Sequence, residues 1–277
     1  MEKTAPSRTA LVTSLMRAAH TRLDPHPLIN DSWGDRLVPE SVRAHLNDQA
    51  LLGSPSYPNV VTRSRYAEDG LRAATARGIR QYVLIGAGFD SFVLRRPEFS
   101  AALQIYEIDF PATQALKIAR IKELGIVLPE SVHFIAADLS QESIAAALAR
   151  SAFKRQPTFF SWLGVTVYLT REANLATLKS LASSAPSGSE LVFTYVDERA
   201  FEAQSQSFRE LQQRVAAIGE PFLSGFDPAA LPANLAACGL ELIEDLNGRD
   251  VAARYDRSGD KSLEQSPFSH IALARVM

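Results

Sequence analysis

The residues best suited to chemistry are two glycines and two carboxylates at set distances from one another. Gly86 and Gly88 directly follow Gln81-Tyr82-Val83-Leu84-Ile85, whose stretch from Tyr82 is a short apolar run rich in β-formers. Such a run reads as a strand buried on both faces. Glycines placed there let the chain turn sharply and let a ligand approach where a Cβ would otherwise stand. Asp109 closes a second run of this kind, Gln104-Ile105-Tyr106-Glu107-Ile108, 21 residues beyond Gly88 (109 − 88). In nucleotide-binding α/β folds an acidic residue about 20 residues past the glycines accepts hydrogen bonds from ribose hydroxyls. Asp138 ends a third run, Val132 to Ala136, 29 residues after Asp109 (138 − 109). A carboxylate there can accept a hydrogen bond from the adenine amine, with Leu139 covering the base and offering its backbone amide. The pattern points to an adenosine-containing ligand at the C-terminal ends of parallel strands. Each aspartate also has a plainer use, as a helix N-cap or a turn residue.

The same stretch argues against phosphate. A dinucleotide fingerprint has a third glycine where this chain has Ser91, and Pro97 falls where a long phosphate-binding helix would run. Neither feature matters to S-adenosylmethionine, which carries an adenosine, a sulfonium and an amino-acid tail but no phosphate. A nicotinamide-dependent oxidoreductase, which the glycine turn and Asp109 also fit, is the alternative. A non-catalytic S-adenosylmethionine-binding protein is a third reading.

Other side chains are candidates on type and position. Arg63 and Arg65 stand two apart before the first strand, and one of them could grip a carboxylate in a bidentate fork. On a surface helix an arginine is otherwise simply solvated. Tyr168 lies in an aromatic stretch, Phe159 to Leu169, at and after the fourth strand; its hydroxyl can hydrogen-bond while its ring stays packed. Phe160 and Trp162 in that stretch read as core. None of the five histidines has a partner spacing that suggests a metal site or a triad. His20 and His26 are candidates for a substrate pocket, with a structural or exposed position as the plainer reading. No Gly-x-Ser-x-Gly or Walker sequence occurs, which argues against serine hydrolases and P-loop enzymes.

The elements that must position these residues alternate. Ser7 to Arg22 has amphipathic helical spacing and is stopped by Asp24-Pro25-His26-Pro27. A short piece, Ile29 to Val38, and helices over Pro39 to Leu51 and Asn59 to Arg77 complete about 80 residues of helical material. Strands at 82–85, 103–108, 132–136, 158–163 and 190–196 then alternate with helices over 111–124, 141–152 and 171–183. This order predicts an α/β, doubly wound, mostly parallel, Rossmann-like sheet carrying a helical N-terminal cap. Residues 1–79 form the cap. Residues 80–277 form the ligand-binding domain, with a helical insertion at about 198–237, comprising a helix from Glu198 to Ile218 and one capped by Asp227 through Ala237. Two last strands, 239–246 and 269–276, enclose a polar surface stretch from Arg249 to Ser266.

Composition narrows the class. The chain has 277 residues, 46% hydrophobic and 22% charged, enough for one large domain with an attachment. A net charge of −2 offers no basic field for nucleic acid. Cys238 is the sole cysteine, so no internal disulfide or cysteine-based zinc site is expected. The N-terminal residues lack a signal-peptide core and no stretch nears the roughly 18 apolar residues of a membrane span. A cytoplasmic protein with no membrane partner is the expectation; the sequence does not indicate an oligomeric state.

Taken together, these motifs resemble the leucine carboxyl methyltransferase-like family of class I S-adenosylmethionine-dependent methyltransferases, and within it a bacterial branch of O-methyltransferases, some of which act in polyketide tailoring. The resemblance rests on Thr62-Arg63-Ser64-Arg65-Tyr66, Val83-Leu84-Ile85-Gly86-Ala87-Gly88-Phe89-Asp90-Ser91, Tyr106-Glu107-Ile108-Asp109-Phe110-Pro111, Ala137-Asp138-Leu139, and Trp162 to Leu169, in that order. It implies that Gly86 and Gly88 back the methionine part of the cofactor, that Asp109 holds the ribose and Asp138 with Leu139 the adenine, and that Arg63 or Arg65 grips the cofactor carboxylate. Leu163 stands where many relatives carry a glutamate, so no carboxylate role is carried over to that position. The activity implied is methyl transfer to an oxygen, carboxylate or hydroxyl, of a small molecule. A carboxylate acceptor is ionised at neutral pH and needs no base; a phenol would draw on His20, His26 or Tyr168.

Overall fold

The computed structural model describes residues 5–203, 206–256, 259 and 262–277. Helix α1, Arg8–Leu23, starts at Ser7, whose hydroxyl accepts the Ala10 amide, and stops at Asp24 before Pro25. It packs on α2 (Gly34–Leu37), α4 (Asp48–Leu52) and the long α5 (Tyr57–Ala76), with Leu11, Leu15, Ala18 and Ala19 buried. The single helix expected over 39–51 is instead two short ones, α3 (Glu40–Arg43) and α4, because Asn47 is extended and caps α4 through the Ala50 amide. Helix α5 begins two residues earlier than expected, since Pro58 sits in its first turn, where no amide is needed.

Strands β1 (Gln81–Ile85), β2 (Gln104–Asp109), β3 (Val132–Ala136), β4 (Thr158–Trp162), β5 (Glu190–Val196), β6 (Leu240–Asn247) and β7 (Ser269–Val276) form one sheet in the order β3-β2-β1-β4-β5-β7-β6. The first five pair in parallel; β7 runs antiparallel to both β5 and β6. Every residue of β1 and β4 is buried, as expected of central strands covered by helices on both faces. The sheet separates two hydrophobic cores. One is built with α1 and α5 around Leu71, Tyr82 and Phe92; the other lies under Trp162, Phe193 and Phe226. Helices α6 (Phe92–Arg95), α7 (Pro111–Glu123), α8 (Ile144–Ala149) and α9 (Arg171–Ser184) connect the parallel strands.

After β5, α10 (Arg199–Ala203) and α11 (Gln206–Ala217) take the place of the one helix expected over 198–218; residues 204 and 205 of that expectation lie outside the described residues. Helix α12 is Leu231–Ala237, and Asp227 accepts the Ala229 amide in the turn before it rather than capping it. The stretch expected to be polar surface contains α13 (Gly248–Tyr255), opened by an Asn247–Asp250 capping box and burying Val251 and Tyr255; residues 257, 258, 260 and 261 lie outside the described ones. Among the described residues no helix is long and apolar enough to cross a membrane.

Candidate functional site

Register brings the candidate residues to one edge. Ile85 of β1 faces Ile108 of β2 and Trp162 of β4, and Asp109 faces Ala136 of β3. The residues that follow each strand are therefore neighbours: Gly86 to Gly88, Asp109, Asp138 and Leu163. Gly86 and Ala87 both donate their amides to the Ile108 carbonyl, at 2.8 and 3.2 Å, which folds the turn over the end of β2. Gly86 and Gly88 have φ of +66° and +52°, a region that side chains rarely adopt. A Cβ at Gly86 would strike Val165, and one at Gly88 would lie 3.0 Å from the Ala10 side chain.

Asp109 is held by this turn. Its carboxylate accepts the Gly88 amide and, through Oδ1 at 2.5 Å, the Phe110 amide. Burial pushes its pKa above the usual carboxylate range, against the pull of those two amides and of Lys117. No cation lies within ion-pair distance of it among the described residues. The Asp109 carbonyl accepts the Ala137 amide at 2.8 Å, which fixes Asp138 beside it at the next strand end. Asp138 adopts the turn geometry that its type allows: Oδ1 accepts the Ser140 amide at 2.9 Å and the Ser140 hydroxyl at 2.7 Å. Leu139 is partly buried against the second core.

Two residues before Asp109, Glu107 pairs with Lys117 of α7 at 2.6 Å, both side chains being 1% exposed. Glu107 Oε1 has no partner among the described residues. Burial raises the Glu107 carboxyl to about 7, against the pull of Lys117, and Asp90 and Asp109 add to the rise. An unfolded glutamate titrates near 4.3. The native state therefore keeps a proton that the unfolded chain loses between about pH 4.5 and 7, and stability should fall as pH rises through that window, by roughly 3–4 kcal/mol. Urea unfolding across the window measures it. Glu107→Gln should flatten the profile; a stability that climbs with pH would contradict this account.

The arginine pair divides. Arg63, on the sheet-facing side of α5, lies against Gly164, where a Cβ would sit 2.6 Å from its guanidinium. Its Nη1 donates to Asn59 Oδ1 at 3.0 Å, one helical turn back. Burial lowers its pKa to about 10; Tyr168 and Asp90 pull it up and Arg17 adds to the fall. It has no carboxylate partner in an ion pair among the described residues. Arg65 faces away: it pairs with Asp69 at 2.9 Å and donates to the Leu28 carbonyl at 3.0 Å. Gly164 has φ of +70°, so Gly164→Ala adds both backbone strain and a clash with Arg63. It should weaken S-adenosylhomocysteine binding by about 10-fold or more while costing 1–3 kcal/mol of stability; calorimetry and urea unfolding read the two effects separately.

Tyr168 lies in a short 3-10 turn, Thr166–Tyr168, its ring 5.5 Å from that of Phe222. Burial raises its pKa, so its hydroxyl is protonated at neutral pH; Thr9, Glu220 and Arg63 are the polar groups around it. His20 is fully buried. Its Nε2 accepts the Leu28 amide at 2.9 Å and its Nδ1 lies 2.7 Å from the Tyr57 hydroxyl, so both nitrogens are engaged; burial lowers its pKa despite Asp24. His26 is exposed in the loop after α1. Leu163 is a partly buried apolar residue packed on the first core.

Several residues at this edge carried no signal in the sequence. Ser14 and Arg17 of α1 both donate to the Phe89 carbonyl, at 3.1 and 2.8 Å, and Arg17 is paired with the buried Asp31 at 2.8 Å. Gln265 accepts from the amide of Asn59, which in turn accepts from Arg63. Only Asn59 had a legible cue, four residues before Arg63 on a helix.

This edge suits S-adenosylmethionine. The turn has no room for side chains, and among the described residues the half-buried Asp109 carboxylate lacks a cation and the half-buried Arg63 guanidinium lacks a carboxylate in an ion pair. A pyrophosphate is poorly served: α6 has four residues, its N-cap makes no side-chain bond, and it ends at Arg96 with φ of +45°, before Pro97.

Residues 10–182 match the sequence profile of the family described as Leucine carboxyl methyltransferase. Over 278 aligned residues the chain is 32% identical to YktD of Bacillus subtilis, a candidate S-adenosyl-L-methionine-dependent methyltransferase, covering 91% of each protein. It is 28% identical over 258 residues to a candidate methyltransferase of the same kind from Mycobacterium avium, covering 89% of this chain and 84% of that protein. Among solved structures, a DUF574 family protein from Streptomyces avermitilis superposes with a TM-score of 0.64 at 16% identity, covering 99% of both chains. A candidate methyltransferase from Thermobifida fusca gives a TM-score of 0.63 at 15% identity, covering 99% of this chain and 96% of that one. At such identities the structural likeness speaks for the fold alone. The profile match and the YktD relationship go further, and with them the chain belongs to the leucine carboxyl methyltransferase family, as an S-adenosylmethionine-dependent methyltransferase.

Proposed function

We propose that the methyl group goes to an oxygen of a small molecule, and that a carboxylate fits better than a hydroxyl. The observation that carries this is the absence of a poised base around Tyr168 among the described residues. The Tyr168 hydroxyl is held protonated by burial, and its carboxylate neighbour Glu220 is turned to the N-terminal turn, where it accepts the Arg8 amide at 3.1 Å and the Thr9 hydroxyl at 2.5 Å. An acceptor that is ionised before it binds needs no base. The family's description also names a carboxyl group.

In this proposal Gly86 and Gly88 back the methionine part of the cofactor. Asp109 takes the ribose hydroxyls, Asp138 and Leu139 the adenine, and Arg63 the carboxylate. When bound, S-adenosylmethionine supplies an electrophilic methyl group on a sulfonium. The protein's own contribution is position and dryness. Tyr168 orients the acceptor with its hydroxyl, and the rings of Phe222, Phe208 and Phe201, in edge or tilted contact, form an apolar wall beside it. The cap, residues 1–79, and the insertion at about 198–237 roof the strand ends.

A methyl-transfer assay over carboxylic acids, phenols, alcohols, amines and thiols tests this. Products that release methanol in mild alkali are methyl esters, and ethers survive it. Turnover confined to amines or thiols would sink the oxygen assignment.

A further inference from the structure

The glycine turn is covered by a strap tied down from both sides of the site. The Ala10 side chain lies over Gly88. Just before it, the Ser7 amide donates to Thr113 Oγ1 at 3.0 Å, in the first turn of α7 after Asp109. The Arg8 amide donates to Glu220 Oε1 at 3.1 Å and the Thr9 hydroxyl to Oε2 at 2.5 Å. Glu220 and Thr113 are buried, 8% and 1% exposed. The bonded partners lie more than a hundred residues apart in the chain, so nothing local enforces these contacts.

The strap and the rest of α1 are held differently. From Leu11 onward the helix is anchored by buried Leu11, Leu15, Ala18 and Ala19 and by the Arg17–Asp31 pair. Residues Ser7 to Ala10 are exposed or partly so and are fixed mainly by hydrogen bonds, which water can replace. Cavities of about 340 and 300 Å³ open elsewhere, the first beside Leu15, Arg22 and Asp48, the second beside Leu28, Arg65 and Pro97; neither is lined by Gly86, Gly88 or Asp109.

We infer that Glu220 is a positioning residue that latches an N-terminal gate: the first turn of α1 leaves Glu220 and Thr113 to admit the cofactor to the Gly86–Gly88 turn and returns to them over it. This rests on the cofactor placement proposed above. Glu220 acts through Arg8 and Thr9, and it joins the first turn of α1 to the segment that carries Phe222, so closing the cofactor side also shapes the wall beside Tyr168.

Stopped-flow association and chase of S-adenosylhomocysteine, with the full chain, tests the gate. Glu220→Ala should speed dissociation about 10-fold and association in the same direction, so that the affinity moves less than either rate. Glu220→Gln, which keeps one acceptor oxygen, should fall between, and Thr113→Val should shift the rates in the same direction through the other anchor. A purely structural role would lower the melting temperature without this paired change in rates. Hydrogen exchange of the ligand-free protein should rise at residues 8–11 in Glu220→Ala and stay unchanged in β1 and β4. Dissociation within about twofold of wild type in both Glu220→Ala and Thr113→Val would overturn the gate while leaving the cofactor site standing. Failure of the wild-type chain to bind S-adenosylhomocysteine at millimolar concentration would overturn the cofactor placement and the gate with it.

Discussion

Asp109→Ala should weaken S-adenosylhomocysteine binding by about 100-fold, the largest effect expected of any single change at the strand ends. A hydrogen bond to an ionised group contributes about 1.5–3 kcal/mol, and a ribose offers two hydroxyls to one carboxylate. Each Asp109 oxygen already accepts one backbone amide, from Gly88 or Phe110, and a carboxylate oxygen can accept a second bond. Burial without a cation penalises the ionised form, as the raised pKa indicates, so ligand donors are worth more there than at an exposed carboxylate. Asp109→Asn keeps the shape and the two amide contacts only in part, and should lose less affinity than alanine. Calorimetry reads both variants. Unchanged affinity in Asp109→Ala, with the fold intact by circular dichroism, would remove the ribose assignment.

Arg63→Ala should lower the same affinity by about 30- to 100-fold, whereas Arg65→Ala should leave it within about twofold. The contrast follows from where the two guanidiniums lie. Arg65 is paired with Asp69 on a partly exposed surface, where an ion pair contributes little. Arg63 is desolvated against Gly164, bound to a neutral amide and without a carboxylate in ion-pair contact among the described residues. A desolvated charge without its counter-ion is a cost to the free protein. Arg63→Ala should therefore leave the melting temperature of the ligand-free chain unchanged or raise it, and should reduce the stabilisation that S-adenosylhomocysteine confers. A large drop in ligand-free stability, or equal losses of affinity from both arginines, would show that Arg63 is a structural residue rather than a carboxylate clamp.

The strands of the parallel half are legible because their signal is local. An apolar run of five or six residues rich in Val, Ile, Tyr and Phe, bounded by Gly or Asp, leaves few other conformations, and β1 to β5 fall within a residue or two of their expected places. The α/β class and the mostly parallel sheet follow from the alternation of those runs with helices. Helix ends are less legible where a cap decides them. Asn47 splits one expected helix, and Asn247 with Asp250 starts a helix in a stretch too polar to announce one. The antiparallel insertion of β7 between β5 and β6 was also out of reach, since strand order depends on which edges meet after collapse.

Local chain chemistry sets the turn and the strand-end carboxylate. Gly86, Gly88 and Asp109 are tied by chain spacing, and the positive φ of the two glycines is a property of residues without a Cβ. Tertiary structure alone decided which long side chains meet that turn. Arg63 and Arg65 are alike in type and two residues apart, yet α5 presents one to Gly164 and the other to Asp69. His20, a candidate base by position, is consumed by Leu28 and Tyr57 inside the cap. Thr9 and Glu220 meet across 211 residues of chain. The physical reason is the same in each case: backbone conformation is set by neighbours in sequence, while the partner of a flexible side chain is set by which helix face is buried against the sheet.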